Sequence, residues 1–382
     1  MKYRPFGNLN WKVSVLGFGA MRLPIIDRNQ TKIDEPEAIR MIRHAIDQGV
    51  NYVDTAYPYH GGKSEVVVGK ALQGGYRDRT KLATKLPSWF IQTQADFDRY
   101  LNEQLERLET DHIDFYLLHG LTKILWPKLC DLEVLRWAEG AQRDGRIQYL
   151  GFSFHDGFDI FKEIVDAYKK WTFCQIQYNY MDVEYQAGIK GLRYAAEKGL
   201  AVAIMEPIRG GQLAKEPPES VARFFARASK KRSPADWALQ WVWNHSEVSV
   251  VLSGMTTMQH VEENLVSADK SASGSLTDTE FTLIDQVREA YRELSPIPCT
   301  MCKYCMPCPS GVNIPRILEL YNDAIIYSEP RKERFLYRQL PAEQQATNCE
   351  ECGNCEEACP QDIPIAEWLK KAHGWLGPKK KT

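Results

Sequence analysis

Four side chains in the first third of the chain could together protonate a carbonyl oxygen. Asp54, Lys85 and His119 each close a short apolar stretch. Tyr59 lies in a turn shortly after the first of them. A phenol with a pKa of about 10 is a poor acid at neutral pH unless a neighbouring cation lowers that value. Lys85 could supply the cation, Asp54 could hold the ammonium in place, and His119 could hydrogen-bond the carbonyl oxygen.

Each of these residues also has an ordinary structural explanation. An aspartate can cap a helix, a tyrosine or histidine can be a satisfied core residue, and a lysine can be a surface charge. Their shared position at strand ends favours the catalytic interpretation. In a parallel α/β barrel the carboxyl ends of the strands all open on one face, and that face carries the active site.

The pattern of the chain predicts the elements that would bring these strand ends together. A short hairpin is expected over residues 3–15, and eight apolar stretches then alternate with helical patterns as far as Ala268. Strands apolar enough for burial on both faces predict a closed (β/α)8 barrel of the α/β class, a TIM barrel. The doubly wound alternative would need a glycine-rich phosphate loop after an early strand, and the stretch GFGAMR lacks the third glycine.

A second, smaller domain is predicted at the carboxyl end. A helix is expected over residues 276–294, and the sequence Ser-Pro-Ile-Pro that follows it breaks the helical pattern. The chain of 382 residues is therefore predicted to consist of a barrel over residues 1–295 and a second domain over residues 296–382.

The strand-end residues also carry a resemblance to a known family. The stretch from Asp54 to Tyr59 reads DTAYPY and is followed by Glu65, which resembles the DTAxxY pattern of the aldo-keto reductases. The strand-end lysine and histidine of that family correspond to Lys85 and His119, and the resemblance covers residues 1 to about 294. It implies an NAD(P)-dependent oxidoreductase acting on a small carbonyl or alcohol substrate. Tyr59 would be the general acid and His119 would orient the carbonyl. Lys85 and Asp54 would tune the phenol.

The resemblance also assigns residues to a nicotinamide cofactor. In chain order they are Ser153, Gln175, Met205, Arg209, Gly254, His260 and Asn264. Phe154 stands where the family has an asparagine beside the serine, and Met205 stands where an aromatic ring usually stacks on the nicotinamide. Gly254 and His260 replace the lysine and arginine that bind the 2′-phosphate of NADP, and they would form a weaker anion site. NADP and NAD are both kept as candidate cofactors.

Eight cysteines crowd the second domain. Their spacing is C-x2-C-x2-C-x2-C-P followed by C-x2-C-x2-C-x3-C-P, and the second run matches the bacterial ferredoxin pattern. Eight thiolates suffice for two 4Fe–4S clusters in which the fourth cysteine of each run serves the other cluster. One cluster is then assigned to Cys299, Cys302, Cys305 and Cys359, and the other to Cys308, Cys349, Cys352 and Cys355. The alternative is a zinc ribbon, which also uses paired CxxC units. The helical insert between the runs predicts a mainly helical, ferredoxin-like iron–sulfur domain.

Composition and charge exclude several classes of protein. The formal net charge is only −2, so nothing favours binding to nucleic acid or to acidic lipid. The amino terminus has no signal-like apolar run, and no stretch reaches the ~18 apolar residues of a membrane-spanning helix. We expect a cytoplasmic protein with no membrane or nucleic-acid partner. In such a chain, cysteines at this density favour metal ligation over disulfides.

Three functions fit these features. A nicotinamide gives two electrons at once as a hydride, whereas each cluster passes one electron at a time. The first function is a reductase with hydride chemistry in the barrel and clusters that exchange electrons with ferredoxin or another external carrier. The second is a plain carbonyl reductase whose clusters are structural or sense redox state. The third is a non-catalytic electron-transfer or assembly protein. Trp89, Phe90 and Trp126 indicate an apolar or aromatic wall around the substrate.

Overall fold

The chain divides into two compact units. The structure is a computed structural model that describes residues 1–27, 29–299, 304–327, 330–359 and 361–378. The first unit comprises residues 1–214 and 232–277, and the second comprises residues 215–231 and 278–382.

The strands and helices follow one another largely as the sequence predicts. The strands are β1 (Tyr3–Phe6), β2 (Leu9–Ser14), β3 (Leu16–Gly19), β4 (Tyr52–Asp54), β5 (Lys81–Leu86), β6 (Ile113–Leu121), β7 (Ile147–Phe154), β8 (Phe173–Gln177), β9 (Ala201–Met205) and β10 (Val250–Ser253). The helices of the first unit are α1 (Glu35–Asp47), α2 (Ser64–Leu72), α3 (Ala95–Arg107), α4 (Leu125–Asp131), α5 (Val134–Arg143), α6 (Phe158–Ala167), α7 (Gly188–Glu197), α9 (Pro234–Trp243) and α10 (Met258–Asp269). Those of the second unit are α8 (Glu219–Ala226), α11 (Asp278–Glu293), α12 (Ile314–Ile326), α13 (Arg331–Arg338), α14 (Asn354–Glu357) and α15 (Ile365–Leu376).

Eight parallel strands of the first unit close into a barrel in the order β10-β3-β4-β5-β6-β7-β8-β9. Nearly every residue of these strands is buried. Such burial on both faces is what continuous apolar strands require, because helices cover the outside of the barrel and side chains fill its inside. The predicted (β/α)8 barrel is confirmed.

The hairpin of β1 and β2 places an aromatic plug at the amino ends of the barrel strands. Phe6 is fully buried, and its ring centre lies 4.6 Å from that of Phe115 and 5.7 Å from that of Phe173. These two partners lie near the starts of β6 and β8. Because core packing closes this end, the site must lie at the opposite end, where the strands finish.

Two local features fix the helices that lie behind the site. Helix α1 begins after Asp34, whose side chain accepts a hydrogen bond from the backbone N–H of Glu37, and Pro36 lies in its first turn. Gly69 allows α2 to approach the end of α3 closely. A Cβ atom at that position would lie 2.8 Å from the carbonyl oxygen of Arg107, so only glycine fits there.

Helices dominate the second unit. The helix predicted over residues 276–294 forms as α11, and it packs against α8, which the sequence did not predict. Both helices belong to the same compact unit as the cysteine-rich residues. The compact unit therefore begins before the boundary predicted between residues 295 and 296, because the apolar faces of α8 and α11 cover each other, and that domain boundary stays a prediction.

Helices α12, α13 and α15 build an apolar core of their own. Its buried residues are Ile297, Val312, Ile314, Ile317, Leu318, Leu320, Ala324, Tyr337, Ala346, Ile363, Ile365, Leu369, Ala372 and Leu376. The first two of these helices correspond to the helical insert predicted between the cysteine runs. None of the helices in the described part of the chain is long and apolar enough to cross a membrane.

Candidate active site and cysteine cluster

The barrel brings Asp54, Lys85, His119 and Tyr59 together. The first three lie on β4, β5 and β6, which are adjacent strands. Tyr59 lies in the turn that follows β4. Residues far apart in the chain therefore meet at one end of the barrel, because parallel neighbours finish on the same side.

Lys85 is the centre of this group. Its side chain is fully buried, and its Nζ donates hydrogen bonds to Asp54 Oδ1 at 2.6 Å and to the backbone carbonyl of Thr55 at 2.7 Å. Burial alone would lower the pKa of Lys85, but the charges and hydrogen bonds of Asp54 and Tyr59 outweigh it and raise that pKa. The ammonium is therefore charged at neutral pH.

Tyr59 faces both the cation and the imidazole. Lys85 Nζ lies 5.1 Å from the centre of its ring, and the ring centres of Tyr59 and His119 are 6.1 Å apart. Burial raises the pKa of Tyr59, while the charge and hydrogen bond of Lys85 oppose the rise without cancelling it. The sequence suggested that the cation would bring this pKa down. The net direction is upward, so the phenol keeps its proton at neutral pH and can act as an acid.

His119 is neutral in this environment. Burial, followed by the positive charges of Lys85 and His155, lowers its pKa well below the usual value. Among the described residues, His119 Nδ1 and Asp54 Oδ2 have no hydrogen-bond partner although both atoms are buried. Buried polar atoms normally find partners. These two atoms therefore mark the places where a bound molecule could complete the site.

Gln175 and Ser153 lie where a carboxamide could bind. Gln175 is buried, its Nε2 donates to the sulfur of Met205 at 3.7 Å, and its Oε1 has no partner in the described part of the chain. Ser153 Oγ accepts a hydrogen bond from the backbone N–H of Gly120 at 2.7 Å, which leaves its own O–H free to donate. One orphaned acceptor and one available donor suit the amide group of a nicotinamide.

Phe154, at the sequence position where the family has an asparagine, packs against a helix. Its side chain is fully buried, and its ring centre lies 5.2 Å from that of Phe161 on helix α6. Side chains alternate between the two faces of a strand. The Ser153 side chain faces the inside of the barrel, so the side chain of its neighbour Phe154 packs on the outside.

Arg209 is already paired with a neighbouring loop. Its Nε lies 3.4 Å from Asp182 Oδ2. The same carboxylate accepts hydrogen bonds from the side-chain amides of Gln177 and Asn179, both at 3.0 Å. These contacts tie the loop after β9 to the loop after β8. The structure thus gives Arg209 a role in holding loops together.

The side chain of Arg22 lies beside Gly254. A Cβ atom at Gly254 would meet the Cβ, Cγ and Cδ atoms of Arg22 at 3.2 Å each, so the stem of Arg22 lies across this glycine. The Arg22 guanidinium reaches Glu206, with Nη2 and Oε1 3.4 Å apart, and both side chains remain partly exposed. No local pattern indicates this contact, because Arg22 follows β3 and Gly254 follows β10.

His260 and Asn264 lie on the first turns of α10. His260 is exposed, and its Nδ1 lies 3.2 Å from the hydroxyl of Thr256. Asn264 is buried, and its Nδ2 donates to Ser253 Oγ at 2.9 Å. Both residues thus flank the loop that follows β10.

Two aromatic side chains form a wall beside the imidazole. The ring centre of Trp89 lies 4.8 Å from that of His119, and Phe90 packs edge-on against Trp89 at 5.8 Å. Their exposed fractions are 39% and 45%. Trp126, by contrast, is buried against Trp171. The predicted apolar wall therefore consists of Trp89 and Phe90 without Trp126.

The cysteines of the second unit lie against its apolar core. Cys299, Cys305, Cys308, Cys349, Cys355 and Cys359 are half-buried and pack on this core, whereas Cys352 is exposed. Cys302 lies outside the described residues. Burial, Glu356 and the neighbouring thiols of Cys349 and Cys308 raise the pKa of Cys355 to about 11. Among the described residues, no three His, Cys, Asp or Glu side chains are gathered as a site for one metal ion.

Two cysteines of the cluster predicted for Cys355 influence its pKa. Cys308 and Cys349 are close enough for their charges to act on Cys355, and all three were assigned to the same cluster. Soft thiolate donors in a largely apolar surrounding suit iron–sulfur clusters. The residues present therefore fit such a group.

Comparison with known protein families gives two matches. The model of the aldo/keto reductase family matches residues 15–289. The chain belongs to this family. The model of the 4Fe-4S dicluster domain matches residues 298–363. Both parts of the predicted identity are thus confirmed, and this aldo-keto reductase is an oxidoreductase with an iron–sulfur domain at its carboxyl end.

Several curated proteins resemble this aldo-keto reductase over the greater part of their length. L-galactose dehydrogenase of Arabidopsis thaliana is 26% identical over 314 residues, which cover 77% of this chain and 97% of that protein. The uncharacterized oxidoreductase YrpG of Bacillus subtilis is 27% identical over 322 residues, which cover 73% of this chain and 95% of that protein.

Solved structures show the same similarity. The aldo-keto reductase AKR11C1 from Bacillus halodurans in its holo form is 28% identical with a TM-score of 0.63, covering 75% of this chain and 96% of that one. The aldo-keto reductase from Klebsiella pneumoniae in complex with NADPH is 25% identical with a TM-score of 0.59, covering 75% of this chain and 95% of that one.

Sequence reasoning missed two residues around the site, Arg22 and Gln104. Arg22 carried no signal, as described above. Gln104 did carry one, because it falls on the apolar face of α3 with Phe97, Tyr100 and Leu101. A polar residue within such a face has to find a buried partner. Gln104 finds it directly behind Lys85.

Proposed function

We propose that this aldo-keto reductase transfers hydride between a nicotinamide cofactor and a small carbonyl or alcohol substrate, and that two 4Fe–4S clusters in its second unit exchange electrons with an external carrier. One observation carries the catalytic part of the proposal. The buried ammonium of Lys85 is held by Asp54 at 2.6 Å and lies 5.1 Å from the centre of the Tyr59 ring. When Tyr59 gives its proton to a carbonyl oxygen, the phenolate that is left lies beside the Lys85 ammonium. The positive charge stabilises this phenolate and so favours the proton transfer.

The residues have distinct tasks in this scheme. When bound, the cofactor supplies a hydride to the carbonyl carbon. Tyr59 gives its phenolic proton to the carbonyl oxygen, and hydride and proton together make the alcohol. Lys85 stabilises the phenolate that is left, and Asp54 keeps the ammonium in place. His119 is neutral and can hydrogen-bond the same oxygen, which fixes the direction of the carbonyl.

The cofactor would be held by the residues that the strand ends present. Gln175 Oε1 and the Ser153 hydroxyl would bind the carboxamide, and Met205 would pack on the ring. Asn264 and His260 flank the place for the adenosine end. The partly exposed rings of Trp89 and Phe90 favour an aromatic or apolar carbonyl compound.

The test of this function is direct transfer of a labelled hydride. The purified full chain, NADH or NADPH deuterated at C4, and a panel of aromatic and aliphatic aldehydes should yield alcohols that carry one deuterium on the carbinol carbon. Mass spectrometry of the product makes the measurement. Alcohol without deuterium, or no alcohol from any aldehyde with either cofactor, would contradict the proposal.

Cofactor choice should depend on Arg22. Its stem lies beside Gly254, at whose position the family has a lysine, and its guanidinium can donate hydrogen bonds to a phosphate. We expect Arg22→Gln to weaken NADPH binding roughly ten- to a hundredfold and NADH binding by less, because a charge-assisted hydrogen bond contributes about 1.5 to 3 kcal/mol. Fluorescence titration of both cofactors measures the change.

Arg22→Lys is the matched control, since it keeps the positive charge and should retain part of the preference. Equal weakening of both cofactors by Arg22→Gln would place the guanidinium on a phosphate that the two share. Unchanged affinities would remove Arg22 from the cofactor site altogether.

For the second unit, the number and spacing of the cysteines support two clusters, and the match to a dicluster domain supports the same number. Their packing on an apolar core also favours a second possibility, namely that the clusters are structural. The two possibilities differ in one measurement. Reduced ferredoxin or a one-electron dye should bleach the cluster absorption if the clusters exchange electrons. If no reductant changes the absorption spectrum, the clusters are structural.

A further inference from the structure

A buried polar cluster lies on the outer face of strand β5, directly behind the site. Glu65 Oε1 accepts hydrogen bonds from Thr84 Oγ1 and from Gln104 Nε2, both at 2.6 Å. Tyr116 donates its hydroxyl to Gln104 Oε1 at 2.7 Å. All four side chains are fully buried. They come from α2, β5, α3 and β6, so the cluster joins four elements.

The cluster contacts the main chain at Lys85. Thr84 precedes Lys85 on β5, and because side chains alternate across a strand, Thr84 points outward where Lys85 points inward. Gln104 Nε2 also donates to the carbonyl oxygen of Lys85 at 3.0 Å. The peptide from which the catalytic ammonium extends is therefore held from behind.

The same carboxylate reaches the turn that carries Tyr59. Glu65 Oε2 pairs with Arg107 Nη1 at 3.3 Å, and the Arg107 guanidinium lies 4.1 Å from the centre of the Tyr57 ring. Tyr57 is further fixed by donating to Glu103 Oε2 at 2.8 Å. One fully buried carboxylate thus connects the strand of Lys85 with the turn of Tyr59.

The hydrogen bonds and ion pair of Glu65 reach the site through Thr84, Gln104 and Arg107. The largest effects on the pKa of Lys85 come from burial, Asp54 and Tyr59. We therefore assign the contribution of Glu65 to geometry. A displacement of about 1 Å in a reacting group can cost about a hundredfold in rate.

We propose that Glu65, Thr84 and Gln104 are positioning residues. They hold Lys85 and the turn of Tyr59 in the relative positions that proton transfer requires. The inference rests on the proposed function of the four site residues. It adds a support that lies behind the barrel wall and touches neither substrate nor cofactor.

The sharpest test compares two substitutions at Thr84. Thr84→Val keeps the shape and removes the hydroxyl, whereas Thr84→Ser keeps the hydroxyl. We expect the valine variant to lower kcat about tenfold, with KM and cofactor Kd within about twofold, and the serine variant to restore kcat. Gln104→Leu should lower kcat further, because it also releases the Lys85 carbonyl. The alkaline limb of the kcat profile for carbonyl reduction should move to higher pH, since a displaced Lys85 opposes the rise in the pKa of Tyr59 less.

The control is Gln240→Leu. Gln240 is a buried amide on α9, where its Nε2 donates to the carbonyl of Ser267 at 2.8 Å and to Asp236 Oδ1 at 3.1 Å, and neither partner is a residue of the site. It should lower thermal stability while kcat per folded molecule and the pH profile stay unchanged. If Gln104→Leu and Thr84→Val behave like this control, the positioning role is wrong and the cluster only stabilises the barrel. Should Gln104→Leu not fold, the pair at Thr84 decides.

Failure of the inference can be told from failure of the proposed function. An enzyme that depends on Tyr59 for kcat but tolerates Thr84→Val and Gln104→Leu overturns the positioning role alone. An enzyme whose kcat does not depend on Tyr59 overturns the proposed function and the inference with it.

Discussion

Tyr59→Phe should lower kcat for carbonyl reduction by about two to four orders of magnitude, which is the usual range for removing a general acid. The phenolic proton is needed in the transition state, so KM and the Kd of the cofactor should change little. The phenylalanine ring preserves the edge-on contact with His119 at 6.1 Å. Steady-state kinetics with an aromatic aldehyde, together with cofactor titration, make the measurement.

Tyr168→Phe is the matched control for this substitution. The hydroxyl of Tyr168 donates to Glu139 at 3.1 Å on the outside of the barrel, so its loss should leave kcat unchanged. A Tyr59→Phe enzyme with wild-type kcat would show that another group gives the proton, and the mechanism proposed for this site would be wrong.

The pH dependence follows from the same residue. Burial raises the pKa of Tyr59, with Lys85 opposing the rise, so the phenol is protonated throughout the neutral range. Carbonyl reduction should therefore be flat near neutral pH and fall only in the alkaline range. Alcohol oxidation needs the phenolate and should rise with pH. A loss of reduction between pH 6 and 8 would contradict this assignment.

Cys355→Ala should cost the protein one of two clusters. Protein purified without oxygen should be brown and hold about eight irons and eight sulfides per chain, and the variant should hold about four of each. Cys308 and Cys349 contribute to the raised pKa of Cys355. All three cysteines were assigned to one cluster from the sequence. Iron and sulfide analysis with electron paramagnetic resonance of the reduced protein distinguishes the outcomes.

Cys130→Ala is the control, because Cys130 is an exposed thiol on α4 of the barrel unit and should leave both clusters intact. Colourless protein that contains zinc would overturn the electron-transfer function. Four irons per chain before any substitution would leave one cluster and point to the first cysteine run, whose spacing departs from the ferredoxin pattern.

Local patterns in the sequence were enough to predict the barrel and the residues at its strand ends. Apolar stretches of strand length, an aspartate that caps α1 and the spacing of DTAYPY are each short-range features. Such features act within a few residues along the chain, and parallel strands finish on one side whatever their loops contain. Asp54, Lys85 and His119 could therefore be placed at one end of the barrel before their distances were known. The cysteine spacing was informative for the same reason.

Only the tertiary structure decided which side chains meet across the chain. Arg22 lies on Gly254, Arg209 pairs with Asp182, and Gln104 reaches the carbonyl of Lys85. The pairing of α8 with α11 belongs to the same class of contact. Each such contact depends on how separate elements pack, and packing is a property of the whole core that no local spacing specifies. The direction of the pKa shift of Tyr59 also depends on the tertiary structure. Burial raises this pKa by more than Lys85 lowers it, and that burial exists only once the barrel has closed around both residues.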